Sequence, residues 1–327
     1  MRAGVSTATA SHVFSGRKHV SAELSARVRG AASELGYRLN TVARALRTGH
    51  SGIIALIVPD ITNPFFPQLA RAVEAHAKKR GYALILIDAG YEASIETHGI
   101  DLLAGGRADG LIWVPSVSQA PRSRPSFPVV VFDHEAFGYS SVHADDYGGG
   151  RLQARFARES GHRDVTLIAG PQVFASARER RRGFRDEANG ALNIVLELET
   201  PLDRTLPKAL QRQLLKPPRP FSFVACDNDT IAVSVLRAFR AAGTRVPEDV
   251  SVIGFDNNML AEIVDPPLTT IRQPIDKLGA LAVDLLVRQI HGGADHAEHL
   301  IAPVTLIERA STRHIALPVG RATVPAD

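Results

Sequence analysis

Residues 53–66 read Ile53-Ile54-Ala55-Leu56-Ile57-Val58-Pro59-Asp60-Ile61-Thr62-Asn63-Pro64-Phe65-Phe66. The first six are apolar without alternation, the mark of a strand covered on both faces, as in a parallel sheet flanked by helices. Pro59 cannot continue a hydrogen-bonded ladder, and Asp, Thr, Asn and Pro after it are turn formers. From Phe66 to Arg80 the apolar residues Leu69, Val73 and Ala77 recur at helical spacing, and Gly81 ends the run. Strand, polar loop and helix within thirty residues make one β/α unit.

Working outward, the unit repeats. Ala83–Ile87, Gly110–Val114 and Val129–Phe132 are further Val/Ile/Leu-rich runs and are expected to be buried on both faces. After Asp145 the pattern starts again, with strand-like runs at Val165–Ala169, Ile194–Leu198, Phe221–Ala225 and Val250–Gly254. Helical stretches fall at 148–160, 177–189, 229–242 and 275–289. Two consecutive series of similar size predict an α/β protein with two doubly wound β/α lobes.

Composition narrows the functional class. Of 327 residues 45% are hydrophobic and 22% charged, an ordinary globular balance. The longest apolar run is strand-sized, and the N-terminus lacks the apolar stretch of a secretory signal, so no membrane role and a cytoplasmic location are expected. Cys226 is the single cysteine, and the histidines, including His12, His19 and His50, show no metal-ligand spacing, so no metal or cofactor is expected. Of the net charge of +4, residues 1–50 hold +6, leaving −2 for the remainder. A basic segment on a near-neutral body points to phosphate, hence nucleic acid.

Within that segment Gly4-Val5-Ser6 reads as a turn closed by a helix N-cap, followed by a slim helix over Thr7–Phe14. Ser21 caps a second helix, Ala22 to Leu35, with Leu24, Val28, Ala31, Ala32 and Leu35 on one face, and Gly36 ends it. The stretches A-G-V-S-T-A-T-A-S-H-V-F-S-G, E-L-G-Y-R-L-N and V-A-R-A-L-R-T-G resemble the LacI/GalR repressor family. The resemblance implies a small all-α helix-turn-helix and hinge helix ahead of a core of periplasmic-binding-protein type. Thr7, Ala8 and His12 fall where the family reads base edges, and Ser6, Thr9 and Ser11 where it touches phosphates. Tyr37 and Asn40 match its backbone anchors. Thr41 to Arg47 resembles the hinge helix, in which Leu46, with Ala43 on the same face, wedges into the minor groove.

Three residues depart from the family pattern: His12 replaces an arginine, Ala10 a valine and Leu39 a proline. In the family about ten further residues precede the turn and form a first helix. Here Met1 stands almost at the turn, which predicts a recognition helix without that scaffold. The expected division is 1–39 for a partial helix-turn-helix and 40–50 for hinge and linker. The N-terminal lobe is 51–145 with 274–305, the C-terminal lobe 146–273 with 306–313, and the tail 314–327. The family's three lobe crossings fall near Asp145–Tyr147, Arg272–Gln273 and Leu306–Glu308. The tail contains prolines and no heptads, which leaves a homodimer rather than a helical tetramer.

Ligands of open α/β sheets bind at the carboxyl ends of strands. Those ends offer Asp60 and Asn63 for hydroxyls, Phe65 and Phe66 for an apolar ring face, then Asp133 and, in the second series, Asn228 and Asp256. One Phe is expected to be core and the other functional, and Asp229 is expected to cap the helix after Asn228. Carried over from the family, Arg180, three residues before Gly183, reaches the ligand, and Gln273 sits at a crossing. Carboxylates, amides and one arginine beside an aromatic face suit a sugar or sugar derivative better than a phosphate, and no glycine-rich phosphate loop is present. The expected function is a DNA-binding transcriptional repressor controlled by a small sugar-like effector between two lobes. The alternative is a ligand-binding protein of the same core that has lost DNA binding with helix one. An enzyme is not expected, since no G-x-S-x-G elbow is present, although Asp60, Asp133 and Asp256 could perform acid–base chemistry.

Overall fold

The computed structural model describes residues 3–15, 19–36, 49–105, 107–116, 125–132, 138–201, 205–293 and 296–315. The expected hinge helix, with Tyr37, Asn40, Ala43 and Leu46, lies outside the described residues, as do Asp133 and the tail from 316 on. Contacts divide the chain into two units, Met1–Gly52 and Ile53–Asp327.

In the first unit α1 spans Thr7–Ser15 and α2 spans Ala22–Glu34. Both starts are capped as the sequence predicts: Thr9 N donates to Ser6 Oγ (3.1 Å) and Leu24 N to Ser21 Oγ (3.3 Å). Gly36 after α2 has a φ of +59°, the left-handed turn that favours glycine. Val13 and Val28 are buried, and Arg27 Nη2 donates to Ala3 O at 2.9 Å, tying α2 to the turn before α1.

In the second unit the strands are β1 (Ile53–Val58), β2 (Ala83–Asp88), β3 (Gly110–Trp113), β4 (Val129–Phe132), β5 (Ser140–Ala144), β6 (Asp164–Ala169), β7 (Asn193–Glu199), β8 (Phe223–Cys226), β9 (Ser251–Asp256), β10 (Thr269–Arg272), β11 (His299–Ala302) and β12 (Thr305–Ile307). Interleaved helices are α3 (Phe65–Lys79), α4 (Ala93–Ala104), α5 (Asp146–Glu159), α6 (Ala175–Ala188), α7 (Lys208–Leu215), α8 (Asp229–Ala241), α9 (Met259–Ile263) and α10 (Ile275–Ile290). They form two six-stranded sheets, in the orders β11-β5-β4-β3-β1-β2 and β12-β10-β9-β8-β6-β7. All neighbouring pairs are parallel except β10 with β12. Each sheet is one lobe with the doubly wound order expected from the repeated β/α pattern.

The chain crosses between lobes three times: from β5 to α5, from β10 to α10 and from β11 to β12. The third crossing lies earlier than expected, since Thr305 already pairs with Arg272 in the second sheet. α10 returns to the first lobe and packs on α3.

Two of the apolar runs are not covered on both faces. β2 is an outer edge strand whose Ile85 is 37% and Leu86 40% exposed. β7 is the half-buried outer edge of the second sheet. An edge strand can be as apolar as a central one, so composition alone does not separate them. The opposite case is β5, whose Ser-Ser-Val-His-Ala hides a fully buried strand. Its serines are satisfied from within: Gln289 Nε2 donates to Ser140 Oγ (2.8 Å), and Ser141 Oγ is bonded to His299 Nδ1 (2.9 Å).

One close approach positions the site. α5 and α6 touch through backbone at Gly150 and Gly183. A Cβ at Gly150 would lie 2.0 Å from Arg180 O, and one at Gly183 2.0 Å from Tyr147 O. Only glycine permits this, and it sets Arg180 of α6 beside Asp146 of α5.

Candidate functional site

A cleft opens between the carboxyl ends of the two sheets, where the switch-point rule places a ligand. From the first lobe Asn63, Phe65, Phe66 and Phe132 line it; from the second lobe Arg180, Asp227, Asn228 and Asp256; from the crossings His143, Ala144, Asp146 and Gln273. Of the expected effector residues, Asn63, Phe65, Phe66, Arg180, Asn228, Asp256 and Gln273 therefore come together. Asp133 lies outside the described residues.

Asp60 is the exception. It does not line the cleft, and its Oδ1 accepts from Thr62 N (2.8 Å) and Thr62 Oγ1 (2.6 Å). The loop after Pro59 turns on this carboxylate, which directs it at its own backbone. Phe65 and Phe66 do not divide their work as expected. Both line the cleft, both belong to the first lobe's core, and their rings meet edge to face at 5.3 Å. Asn63 Oδ1 accepts from Phe65 N (3.2 Å), so it shapes the turn, and its amide nitrogen makes no hydrogen bond among the described residues.

In the second lobe the cap falls one residue earlier than expected. Asn228 Oδ1 accepts from Ile231 N (2.8 Å), making Asn228 the N-cap of α8. Asp229, the first helical residue, is fully buried and accepts from Thr270 Oγ1 (2.6 Å) and Asn258 N (2.8 Å). It braces the ends of β9 and β10 instead.

Arg180 is the centre of the second-lobe wall. Its Nε donates to Asp146 Oδ1 (2.7 Å) and its Nη1 to Asp227 O (2.8 Å), and its guanidinium lies 3.9 Å over the Phe255 ring. Asp256 Oδ1 stands 3.7 Å from Nη1. Its Nη2 makes no protein hydrogen bond among the described residues. Burial alone would lower the arginine's pKa, but Asp146, Asp227 and Asp256 outweigh it and raise it. Phe255 fits because Gly149 opposite has no side chain; a Cβ there would lie 2.4 Å from the ring. Gln153 of α5, also buried, donates to Cys226 O (3.0 Å) and Gly254 O (2.8 Å), fixing the last turns of β8 and β9.

Asp256 and Asn257 adopt φ values of 112° and 57°, in the region non-glycine residues avoid. The strain is held from outside: Arg309 donates to Asn257 Oδ1 (2.7 Å) and Leu268 O (2.8 Å), and Gln273 Nε2 donates to Asp256 Oδ1 (2.7 Å). Burial pushes the Asp256 carboxyl up to about 7, against the opposing pull of Arg180 and Gln273. Burial also raises Asp227, where the Arg180 charge opposes it, and Asp229, where the neighbouring Asp256 charge adds to it. Acids held toward their protonated forms around one arginine offer both donors and acceptors to hydroxyl groups.

Sequence reasoning missed Asp146, Asp227, Phe174 and Tyr91, all of which line the cleft. Asp146 and Asp227 each adjoin a residue already singled out, so reading whole strand ends would have found them. Tyr91 and Phe174 sit in loops where no periodicity marks them. Among the described residues no His, Cys, Asp and Glu cluster is arranged to hold a metal, and no helix is long and apolar enough to cross a membrane.

Comparison with known proteins places this geometry. Residues 1–40 match the model of bacterial regulatory proteins, lacI family, and residues 154–312 that of a periplasmic binding protein-like domain. The ribose operon repressor of Escherichia coli (strain K12) is 34% identical over 319 residues, covering 94% of this chain and 97% of the relative. The chain belongs to the lacI family of bacterial regulatory proteins. Among solved structures, the Lac repressor dimer bound to operator and the anti-inducer ONPF superimposes with a TM-score of 0.83 at 27% identity, over 95% of this chain and 97% of that one. A LacI family transcriptional regulator from Enterococcus faecalis V583 with bound ribose gives 0.70 at 33% identity, over 81% and 100%. The lacI-family regulator described here shares their α/β lobes, and its relatives are transcriptional repressors. The match over residues 1–40 favours a DNA-binding regulator over a core that has lost that role.

Proposed function

We propose that this regulator binds operator DNA as a homodimer in the cytoplasm and that a single-ring neutral sugar in the interlobe cleft sets its operator affinity. One observation carries the effector reading. The cleft joins an aromatic wall on one lobe to a hydrogen-bonding wall of Arg180, Asn228, Asp256 and Gln273 on the other. An apolar ring face and a ring of hydroxyls are the two faces of a sugar. The cavity, about 100 Å³ as it stands, is smaller than the roughly 150 Å³ that holds a benzene, so a single sugar ring would enter only as the lobes open. The relative with bound ribose supports a pentose as the first candidate.

For DNA the reading rests on α1, whose Thr7 and Ala8 are exposed, with Thr9 and His12 half-buried. Ser6 caps this helix, so its hydroxyl is shared between the backbone and any phosphate. The homodimer reading is supported by exposed apolar side chains on one lobe, Ile85 and Leu86 of β2 and Ile95 and Leu102 of α4, and by Met259 and Ile263 of α9 on the other. Binding in the cleft would change how far the lobes close, and a coupling of roughly 1–3 kcal/mol to the DNA-binding segment makes a usable switch. The reading involves no enzymatic turnover.

The test is a fluorescence titration of palindromic operator-like DNA at two salt concentrations, with and without D-ribose and other monosaccharides. Sequence preference that survives moderate salt and shifts with one sugar is expected. Binding that is wholly salt-sensitive and indifferent to every sugar would sink the reading.

A further inference from the structure

All three lobe crossings lie on one side of the molecule. The chain leaves the first sheet from β5 and β11, leaves the second from β10 and re-enters it at β12; β5 and β11 are neighbours at one edge of the first sheet, and β10 and β12 at one edge of the second. The opposite edges, β2 and β6-β7, are therefore the parts that separate most when the lobes rotate about the crossings. From β5 to β2 are four strand spacings, roughly 19 Å at about 4.8 Å each. With that lever arm a 10° opening moves the far edge by roughly 3 Å.

Two aromatic side chains meet across this far edge. Tyr91 follows β2 in the first lobe, Phe174 precedes α6 in the second, and their ring centroids are 5.9 Å apart at 56°. Both line the cleft. Each is held by its own loop. Tyr91 has a φ of 60°, fixed by Tyr91 N donating to Pro59 O (2.9 Å) and Glu92 N to Ala89 O (2.9 Å). The loop before Phe174 is clamped by Arg178 Nη1, which donates to Gln172 O and Val173 O, both at 2.9 Å. Neither ring belongs to a hydrophobic core cluster among the described residues.

We propose that Tyr91 and Phe174 form an aromatic gate across the mouth of the cleft, which closes over a single-ring ligand, slows its escape and excludes a disaccharide. The gate rests on the reading of the cleft as a sugar site. It follows from the topology: contact at the longest lever arm is the most sensitive to lobe angle, and a ligand projecting through the mouth would separate the rings. The contact is worth a modest amount, so it biases closure without locking it.

The test has a ligand-free arm and a ligand arm on the full chain. In the first, Tyr91→Cys/Phe174→Cys is treated with dibromobimane, which fluoresces when it bridges two thiols; Cys226 is buried, and each single variant is the control. Rapid bridging only in the double variant is expected, and no bridging overturns the gate. In the second, D-ribose and cellobiose are titrated calorimetrically into wild type, Tyr91→Ala, Phe174→Ala and the double variant. Each single change is expected to weaken D-ribose binding about two- to tenfold, with the double no weaker than the worse single, and to admit cellobiose. Additive effects, or cellobiose bound by wild type, overturn the gate while leaving the sugar site standing. Bridging with no sugar bound by any form supports the contact and refutes the sugar reading.

Discussion

Gln273 Nε2 donates to Asp256 Oδ1 at 2.7 Å, so a residue in a lobe crossing holds the carboxylate at the end of β9. A ligand that bonds Asp256 therefore acts on a group already tied to the hinge, and Gln273 passes any shift of that carboxylate to the crossing. This arrangement also governs how the site responds to pH.

Burial raises Asp256 to about 7, whereas an unfolded aspartate titrates near roughly 3.9. Between those values the folded chain keeps a proton that the unfolded chain has released. The contribution to stability is full below the unfolded value and is lost as pH rises to about 7. Asp256→Asn removes the titration, so its melting temperature should gain on wild type from pH 5 to pH 7.5 and hold a constant difference above. Differential scanning fluorimetry across that range checks it; a constant difference throughout would place the titration elsewhere.

Arg180 compensates Asp146, Asp227 and Asp256, all buried. Arg180→Ala strands those carboxylates, and losing the partner of a buried charge costs about 3–5 kcal/mol. Arg180→Lys keeps the charge but loses the planar stack on Phe255 and a donor to Asp227 O. Its stability loss should be smaller while D-ribose binding still falls more than about tenfold. Urea unfolding and calorimetry separate the two effects; equal losses for both variants would contradict the stacking role.

The fold was legible because β1, β3, β4 and β8 are continuous apolar runs, β6 and β9 are apolar but for a few polar residues and Gly254 in β9, and helices such as α3 carry one apolar stripe. β5 was not, since its serines are satisfied by Gln289 and His299, partners distant in sequence. The site was half legible. Strand ends pointed to Asn63, Asn228 and Asp256, and the family pattern to Arg180 and Gln273, and all five line the cleft. Asp60, whose Oδ1 accepts from Thr62 in its own loop, does not line the cleft, and strand ends could not mark Tyr91 and Phe174, which come together only where the two lobes face each other.

The Gly150–Gly183 contact gives a third prediction. A Cβ at Gly183 would sit 2.0 Å from Tyr147 O, backbone that cannot swing aside, so α5 and α6 must separate. Gly183→Ala should cost at least about 1–3 kcal/mol and displace Arg180 from Asp146, weakening sugar binding with it. Gly30, inside α2, is the control, since a methyl group added there would meet nothing within 4 Å. Gly30→Ala should be stabilising by about 0.5–1 kcal/mol through helix propensity. Denaturant midpoints for the pair check both signs.

His162 gives the acid limb. It is buried after α5, its Nδ1 bonded to Ser222 Oγ (2.8 Å) and its Nε2 to Arg313 O (3.2 Å). Burial pushes its pKa down to about 4, with the Arg313 and His314 charges adding to that and the carbonyl of Arg313 opposing it. An unfolded histidine titrates near roughly 6.5. As pH falls from there to about 4 the unfolded chain takes up a proton that the folded chain refuses, and stability is lost across that window. His162→Gln retains a polar group without the titration. Its melting temperature should gain on wild type's as pH falls from 6.5 to 4.5, whatever its offset at pH 7. Parallel acid limbs in the two proteins would show that another group drives the acid loss.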